Sequence, residues 1–237
     1  MSRVVIVTGA ARGIGAAIAQ RFGEEGWRVV LADVVPDVEV SAKRMADLGF
    51  ETSAVVADVS APEGAQALRA EVGDGLHALV NNAGITRDAM LHKMTEDQLR
   101  AVLRVNLGGP VQLLDALLPL MPEGSAVVNV SSRSANGNMG QYNYAVSKAG
   151  LVGLTRSLGL SLAPKVRVNA IAPAFIATEM TDAIPDEVRR KILSTIPFGR
   201  AGQPTEIAET ALWLSSPGSS YITGQVLSVC GGRSFGP

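Results

Sequence analysis

The stretch that decides the fold is VVIVTGAARGIG, residues 4–15. Its first four residues are apolar and β-branched, which predicts a buried strand. The glycines that follow, Gly9, Gly13 and Gly15, let the backbone turn sharply and approach a ligand closely. A helical pattern begins where they end, so the helix N-terminus can face a pyrophosphate. The spacing is G-x-x-x-G-x-G, unlike the usual dinucleotide fingerprint, and a tight turn with glycines for helix packing is the competing interpretation.

Outward from this junction, the chain of 237 residues alternates short apolar runs with helical patterns. The runs predict strands at 4–7, 29–32, 53–57, 78–81, 126–130, 167–171 and 226–229. The patterns between them predict helices at 14–25, 38–48, 64–71, 96–107, 111–121, 142–162 and 204–214. This alternation predicts an α/β fold whose parallel, doubly wound sheet is covered by helices on both faces. The sequence contains no repeat or linker, so we expect one domain, with a cofactor half at about 1–125 and a catalytic half at about 126–237.

Composition excludes several classes of function. The chain is 47% hydrophobic but only 4% aromatic, so its core must consist mainly of Ala, Val, Leu and Ile. A net charge of −1 offers no basic surface for nucleic acid. One cysteine excludes an internal disulfide, and two scattered histidines give no convincing metal site. No apolar run reaches the roughly 18 residues of a membrane span, and the first strand begins too early for a signal peptide. We therefore expect a cytoplasmic protein without metal, membrane or nucleic-acid partners.

Candidate chemistry lies in residues 129–150, NVSSRSANGNMGQYNYAVSKAG. This stretch passes from a strand, through a loop rich in Ser, Asn and Gly, into a helix that carries Tyr144 and Lys148. Residues four apart share a helix face, and an ammonium beside a phenol lowers the tyrosine pKa from about 10 toward the working range. Such a phenol can exchange a proton with a carbonyl or alcohol oxygen, which a serine at the strand end could bind from the other side. Taken alone, a Tyr-x-x-x-Lys spacing also arises by chance on solvated helices.

Acidic residues follow the second and third predicted strands. Asp33 lies 18 residues after Gly15, where a carboxylate can accept hydrogen bonds from the adenosine ribose and repel a 2′-phosphate. A helix cap or loop aspartate is the alternative. Asp58, which precedes Val59, could pair with the adenine amino group or could only form a turn.

Asparagines follow the fourth strand and interrupt a helix. Asn82, in the sequence NNAG, stands where a cofactor would cross the sheet edge, although a loop that satisfies its own backbone groups is also possible. Asn106 lies in a predicted helix, just before a Gly-Gly-Pro break. Because asparagine is a poor interior helix residue, a local kink with a polar role and a buried structural asparagine are both open.

In this order, TGAARGIG, the Asp58 dipeptide, NNAG, Asn106, the serine pair and YAVSK resemble the short-chain dehydrogenase/reductase family. The resemblance covers essentially the whole chain, and the joint occurrence of these motifs is highly specific. The segments GITRDAMLHKM, GQYNYAVSKAG, PFGRAGQPTEIA and YITGQVLSVCGG look like bacterial 3-oxoacyl-(acyl-carrier-protein) reductases. The resemblance implies an oxidoreductase with a Rossmann-type fold, a parallel sheet of about seven strands and a nicotinamide cofactor.

The resemblance also implies a role for each matching residue. Tyr144 would be the acid/base, and Lys148 would lower its pKa and hold the nicotinamide ribose. Ser132 would position the substrate oxygen, and Asn106 would support a water that relays protons to Lys148. The cofactor would be held by Gly9, Arg12, Gly13, Ile14, Gly15, Asp33, Asp58, Val59, Asn82, Ala83, Gly84, Tyr144, Lys148, Ile176 and Thr178.

The choice of serine depends on how the loop before the helix is aligned. The family's serine usually lies 13 residues before the tyrosine, which selects Ser131. It is also the second of the pair that closes the strand, which selects Ser132. Because loops absorb deletions while the sheet fixes strand and helix ends, we infer a one-residue deletion within 133–140 and choose Ser132.

Two residues oppose each other on the choice of cofactor. Asp33 would face the 2′-phosphate of NADP(H), and like charges about 4 Å apart cost on the order of 4 kcal/mol at an effective dielectric near 20. Arg12 could attract that phosphate, but exposed pairs contribute about 1 kcal/mol or less. We therefore expect NAD(H) to be preferred, with NADP(H) as the second option.

Three functions are consistent with the sequence: a 3-oxoacyl thioester reductase, an NAD-dependent dehydrogenase of another secondary alcohol, and a nucleotide-sensing module without catalysis. An intact set of candidate catalytic residues argues against the sensor. Segment 175–200 lies where this fold places a substrate lid, and an amphipathic helix that packs on the core is the alternative. Its 189–191 run, Arg-Arg-Lys, could meet the phosphopantetheine of an acyl carrier protein or could be a solvated face. Helix 142–162 is apolar on more than one side, which leaves a face for a partner subunit, and we expect a homotetramer.

Overall fold

The sheet has the predicted architecture. In the computed structural model, which describes residues 2–73, 75–182 and 184–234, seven parallel strands form one sheet in the order β3-β2-β1-β4-β5-β6-β7. The strands are β1 Val4–Thr8, β2 Arg28–Asp33, β3 Thr52–Val56, β4 Ala78–Asn81, β5 Ser125–Val130, β6 Val166–Pro173 and β7 Val226–Val229. Each coincides with a predicted strand to within two residues. The Rossmann-type doubly wound sheet is confirmed.

Helices cover both faces of the sheet. They are α1 Gly13–Glu24, α2 Asp37–Asp47, α3 Pro62–Val72, α4 Glu96–Leu103, α5 Gly109–Leu117, α6 Tyr142–Ser161, α7 Glu179–Asp182, α8 Asp186–Leu193 and α9 Pro204–Leu214. Strand side chains alternate between the faces: Val5 and Val7 join a core with α1, α2 and α9, and Val4 and Ile6 join one with α3 and α5. Because both faces are buried, the strands are continuously apolar, which explains why their sequence signal is so clear.

The chain reverses its direction of winding between β1 and β4. From β1 the order runs to β2 and β3 on one side, and β4 to β7 follow on the other. Ligands of open α/β sheets bind in the crevice that such a switch opens at the carboxyl ends of the strands. The Asn82 side chain spans this crevice, donating from Nδ2 to the carbonyls of Thr8 at 2.9 Å and Gly9 at 3.1 Å.

The expected break between helices 96–107 and 111–121 is wrong. The chain stays helical from Glu96 to Leu120, and a π-helical turn, Arg104–Gly108, takes the place of a loop. Pro110 has no N–H, so it cannot bond to the Asn106 carbonyl four residues earlier. The wider turn accommodates this, since the Gly109 N–H instead reaches the Arg104 carbonyl.

The same helical segment is long and apolar enough, by length and composition alone, to cross a membrane, and it is the one such segment among the described residues. Leu113 and Leu117 on it are buried in the core with β1 and β4. The segment is thus a core helix of this fold.

Two short helices, α7 and α8, lie in segment 175–200, where a helix packed on the core was the alternative to a lid. Their surroundings form a small separate cluster around Phe175, Ile196 and Ala201, against which Ile184 and Ile192 pack. This segment is therefore attached to the main body by few apolar contacts, as suits a lid.

Candidate active site

A cleft of about 640 Å³ opens at the carboxyl ends of the strands. Every residue predicted to bind the cofactor lines it, and Ser132 lines it as well. Among the predicted site residues, Asn106 alone stands outside the lining and is fully buried behind it. The structure therefore brings together at one edge of the sheet residues that span positions 9 to 178 of the chain.

The glycine loop is shaped as a cradle at the start of α1. Gly9 and Gly13 have φ angles of 65° and 60°, which side chains other than glycine rarely adopt. A Cβ on Gly15 would lie 2.0 Å from the Gly9 carbonyl oxygen, so only glycine fits there. No side chain caps α1, which leaves its first N–H groups to a ligand. The cradle and the volume of the cleft fit a dinucleotide with its pyrophosphate at the helix N-terminus.

Asp33 ends β2 inside the cleft and is held from two sides. Its Oδ2 accepts from the Ala11 N–H at 3.0 Å, and its Oδ1 accepts from the Val35 N–H at 3.3 Å. The helix-cap alternative is wrong, because Pro36 precedes α2. The carboxylate is thus fixed between β2 and the glycine loop, while Arg12 is exposed at the rim of the same cleft.

Asp58 forms the turn that the sequence allowed for it. Its Oδ1 accepts from the Ser60 N–H at 2.8 Å and from the Ser60 hydroxyl at 2.7 Å, which forms a turn. These hydrogen bonds, led by the hydroxyl, hold the pKa of the carboxyl below its ordinary value. Asp58 also lines the cleft with Val59, so the turn residue is available to a ligand.

Ser132, Tyr144 and Lys148 meet beside the cleft. The Ser132 hydroxyl is near enough to the Tyr144 phenol to lower its pKa, against the larger effect of burial. Lys148 is buried, its Nζ lies 5.7 Å from the centre of the Tyr144 ring, and it donates to the Val130 carbonyl at 2.7 Å. The expectation that Tyr144 and Lys148 share a helix face is met.

The expectation that Lys148 lowers the tyrosine pKa is wrong for this arrangement. Burial raises the pKa of Tyr144, the nearby Asp88 raises it further, and Ser132 offsets part of the effect. The Lys148 ammonium does not offset this rise, and burial lowers its own pKa to about 8. At neutral pH the phenol is therefore protonated and able to donate.

Ser131 and Ser132 have different surroundings, as adjacent residues leaving a strand must. Ser131 is buried and donates to the Lys148 carbonyl at 3.0 Å. Ser132 accepts from the Ser134 N–H at 3.1 Å, at the start of the short turn Arg133–Asn136, and faces Tyr144.

Asn106 is placed in the π-helical turn and ties three elements together. Its Oδ1 accepts from the Ile85 N–H at 2.8 Å, and its Nδ2 donates to the Ile85 carbonyl and to Ser147 Oγ, each at 3.0 Å. A Cβ on Gly84 would lie 3.2 Å from Asn106 Oδ1 and 3.5 Å from Lys148 Nζ. Both alternatives from the sequence, a kink and a buried structural asparagine, are thus realised together.

Sequence reasoning missed several residues of the cleft wall. These are Val34, Val35, Ala57, Ile85, Thr86, Val105, Val130, Glu179 and Thr181. Most directly follow or precede residues that were identified, so proximity to a strand end was the available signal. Val105 precedes Asn106 but follows no strand, and it lies in the π-helical turn at the cleft.

These features define a class: an α/β oxidoreductase that binds a nicotinamide dinucleotide. A family model described as enoyl-(acyl carrier protein) reductase matches residues 9–234. The chain belongs to the short-chain dehydrogenase/reductase family, and as a member it is an NAD(P)-dependent oxidoreductase, so the predictions of family and enzyme class are confirmed.

Individual proteins and solved structures that are similar to this chain agree with the family assignment. The 3-oxoacyl-(acyl-carrier-protein) reductase FabG of Chlamydia trachomatis is 40% identical over 98% of this chain and 97% of its own. A crystal structure from Brucella melitensis, titled short-chain dehydrogenase/reductase SDR:glucose/ribitol dehydrogenase, has a TM-score of 0.93 and 31% identity over 98% of this chain and 96% of its own. A crystal structure of actinorhodin polyketide ketoreductase with NADPH has a TM-score of 0.91 and 32% identity over 99% of this chain and 98% of its own.

Proposed function

We propose that this protein reduces the ketone of 3-oxoacyl thioesters, of the 3-oxoacyl-carrier-protein or acetoacetyl-CoA type. The observation that carries this is the meeting of Ser132 and a protonated Tyr144 at the edge of the dinucleotide cleft. The identity to a 3-oxoacyl-(acyl-carrier-protein) reductase across nearly the full length of both chains supports the choice of substrate.

When bound, the nicotinamide supplies the hydride. The chain's own residues orient the ketone and move the proton. Ser132 Oγ and the Tyr144 hydroxyl both donate to the ketone oxygen, and Tyr144 transfers its proton as negative charge develops there. A raised tyrosine pKa favours this direction, because the protonated phenol is the form that acts.

Lys148 and Asn106 lie behind Tyr144 in the proposed path of the proton. Lys148 Nζ lies 5.7 Å from the centre of the Tyr144 ring and donates to the Val130 carbonyl, and we propose that its remaining donors hold the nicotinamide ribose and pass a proton toward Tyr144. We propose that Asn106 supports the water of that relay, since its side chain and Lys148 Nζ both lie beside Gly84, where a Cβ would meet them at 3.2 Å and 3.5 Å. The division into a cofactor half at about 1–125 and a catalytic half at about 126–237 of one domain follows from these roles.

The proposed cofactor is NAD(H). Asp33 is fixed in place by two backbone N–H groups, so it cannot easily swing away from a 2′-phosphate. We expect NAD(H) to exceed NADP(H) in kcat/KM by about tenfold or more, with loss or reversal of that ratio in Asp33→Ser. Steady-state rates with both cofactors measure this, and Asp37→Ser on the exposed start of α2 is the control. A wild type that works better with NADPH would contradict the assignment.

A second function is favoured by Asp33 and by the solved relative titled glucose/ribitol dehydrogenase. It is oxidation of another secondary alcohol with NAD. A panel of acetoacetyl-CoA against cyclic and aliphatic alcohols and polyols, run with both cofactors, separates the two. Highest kcat/KM on the thioester supports the proposed function, and highest kcat/KM on an alcohol replaces it with the second.

The further partners follow from the proposed substrate. A thioester carried on acyl carrier protein would approach the segment that contains α8, whose last turn carries Arg190 and Lys191. We also propose a cytoplasmic location, where the free Cys230 would stay reduced.

A further inference from the structure

The loop that joins Ser132 to α6 is held by little packing. Gly137 and Gly140 in it have φ angles of 107° and 78°, and residues 136–139 are exposed. Glycine-rich, exposed backbone of this kind opens easily unless polar contacts fix it. The proposed reduction requires the Ser132 hydroxyl to keep one position relative to Tyr144, so the hydrogen bonds of the loop bear on catalysis.

Gln141 closes this loop with the oxygen of its side-chain amide. The Oε1 accepts from Asn138 Nδ2 at 2.7 Å and from Ser134 Oγ at 3.3 Å. Ser134 in turn donates its N–H to Ser132 Oγ at 3.1 Å. Because the Ser132 oxygen is engaged as an acceptor, its hydroxyl hydrogen is left to donate to a substrate oxygen.

The nitrogen of the same amide is anchored outside the loop. Gln141 Nε2 donates to Asp88 Oδ2 at 2.9 Å, and a hydrogen bond to a carboxylate is stronger than one between neutral groups. A short parallel bridge pairs Ala89 with Gln141, and the Ala89 N–H donates to the Gly140 carbonyl at 2.9 Å. The end of the loop is thus attached to the segment that follows β4.

The segment that carries Asp88 is itself fixed. Ile85 exchanges hydrogen bonds of 2.8 Å and 3.0 Å with the side chain of Asn106. The Arg87 carbonyl accepts from Nδ2 of Asn143 at 2.8 Å, and Asn143 is fully buried in the first turn of α6. Asp88 is therefore held against the helix that carries the proton donor.

A helix cap would be the ordinary role for the residue that precedes α6. The Gln141 side chain makes no capping hydrogen bond to this helix. Its backbone belongs to the helix, since its carbonyl accepts from the Ala145 N–H at 2.7 Å. The side-chain amide serves the loop instead, so one residue connects the helix of Tyr144 with the loop of Ser132.

We propose that Gln141, anchored by Asp88, is a positioning residue that sets the Ser132 hydroxyl relative to the Tyr144 phenol. Gln141 acts through Ser132 and does not itself touch the reacting atoms. The inference rests on the proposed function for the roles of Ser132 and Tyr144.

Four variants test the two ends of the amide. Gln141→Met keeps the length of the side chain and removes its hydrogen bonds. Asp88→Ala removes the anchor, and Asp88→Asn keeps an acceptor oxygen there. Gln20→Met is the matched control, because Gln20 also donates to a surface carboxylate, Glu24 Oε1 at 3.0 Å, but lies on α1. Melting temperature and circular dichroism establish that each variant is folded.

Rates are measured on whichever ketone or alcohol gives wild type its highest kcat/KM. We expect kcat to fall about tenfold in Gln141→Met and in Asp88→Ala, the loss typical of a hydrogen bond to a charged group, with KM and the cofactor Kd within about twofold of wild type. Asp88→Asn should recover most of the loss, and Gln20→Met should show none. A kcat within twofold of wild type in Gln141→Met, or equal losses in Asp88→Asn and Asp88→Ala, would overturn the proposal.

A double-mutant cycle shows whether Gln141 acts through the serine. Once Ser132→Ala has removed the hydroxyl, the further change Gln141→Met should lower kcat by less than about twofold. A general structural role would give the same tenfold loss in both backgrounds, and that result would overturn the proposal.

Amide hydrogen exchange separates this inference from the proposed function, because it needs no turnover. The N–H groups of Ala135, Gly137 and Gln141 are hydrogen-bonded within the loop, so a peptide that covers 132–141 reports its opening. Exchange of this peptide about tenfold faster in Gln141→Met, and unchanged in Gln20→Met, supports the positioning role even if no thioester is reduced. Equal exchange in Gln141→Met and wild type overturns it even if the thioester is a good substrate.

Discussion

At the scale of single residues, protonation states decide what this site can do. Tyr144 has a raised pKa because its phenol is desolvated, and the neighbouring Lys148 ammonium donates to the Val130 carbonyl. The phenol is then an acid at neutral pH, ready to protonate a developing alkoxide. Any lowering of its pKa must come from groups that approach on ligand binding.

The first prediction concerns this phenol. Tyr144→Phe should abolish turnover, with a loss of about 10²–10⁴-fold in kcat, because the proton donor is removed while the ring stays. The Kd for the nicotinamide cofactor, from fluorescence titration, should change little. Retention of more than a tenth of wild-type activity would show that another group donates the proton.

A second residue-scale prediction concerns Lys148, whose buried charge lowers the free energy of unfolding. Burial lowers its pKa from 10.5 to about 8, and each pKa unit corresponds to about 1.4 kcal/mol. The charged form therefore costs the folded protein about 3 kcal/mol below pH 8, and this cost fades between pH 8 and 10.5 as the folded state releases the proton first. Lys148→Met should be inactive yet more stable than wild type at pH 7, by about 1–2 kcal/mol once the lost Val130 hydrogen bond is counted.

Urea unfolding at fixed protein concentration, at pH 7 and pH 10, tests this. The advantage of Lys148→Met should shrink or vanish at pH 10. Lys43→Met, on the exposed surface of α2, controls for the loss of an ordinary lysine. An advantage that is equal at both pH values would show that the Lys148 charge is not penalised by burial.

At the scale of elements, the strands were predictable and the connections were less so. Buried parallel strands carry unbroken apolar runs, so each strand can be recognised from its own short stretch of sequence. The π-helical turn Arg104–Gly108 was not predictable, because Gly-Gly-Pro is typical of a break and only packing on the core keeps the chain helical. The bounds of α7 and α8 were not predictable for a similar reason: both helices are short, and α8 packs on a small cluster apart from the main core.

The third prediction concerns Ser131 and Ser132, the two serines that follow β5. Ser132→Ala should lower kcat/KM about a hundredfold, because it removes a hydrogen bond to the reacting oxygen. Ser131→Ala should instead cost about 1 kcal/mol of unfolding free energy through the lost bond to the Lys148 carbonyl, with a far smaller effect on turnover. Kinetics and unfolding on the same two variants give the comparison. The reverse ranking in activity would favour the 13-residue spacing over the inferred deletion.

At the scale of the whole molecule, the winding of the sheet assembles the site. The ends of β1, β2, β3 and β4 bring the glycine loop, Asp33, Asp58 and Asn82 to one crevice. Residues at the ends of predicted strands could therefore be assigned to the cleft from the sequence alone. Contacts between distant loops could not, such as the hydrogen bond from the Phe198 N–H to the Gly231 carbonyl at 3.3 Å, because no local pattern records which loops the sheet places together.

The last prediction concerns assembly. Helix α6 buries one face, with Ser147, Leu151 and Thr155, yet Val146 and Leu160 are 40% and 82% exposed on its other side. Val111, on the adjoining α5, is 46% exposed. Apolar residues repeated along one helical surface favour a partner subunit.

We expect a homotetramer, whose sedimentation at micromolar concentration gives four times the chain mass of 24.6 kDa. Val146→Glu should lower that mass by placing charges at the contact, whereas Val40→Glu on exposed α2 should not. A monomeric wild type would contradict the assignment, and a tetramer unaffected by Val146→Glu would place the contact elsewhere.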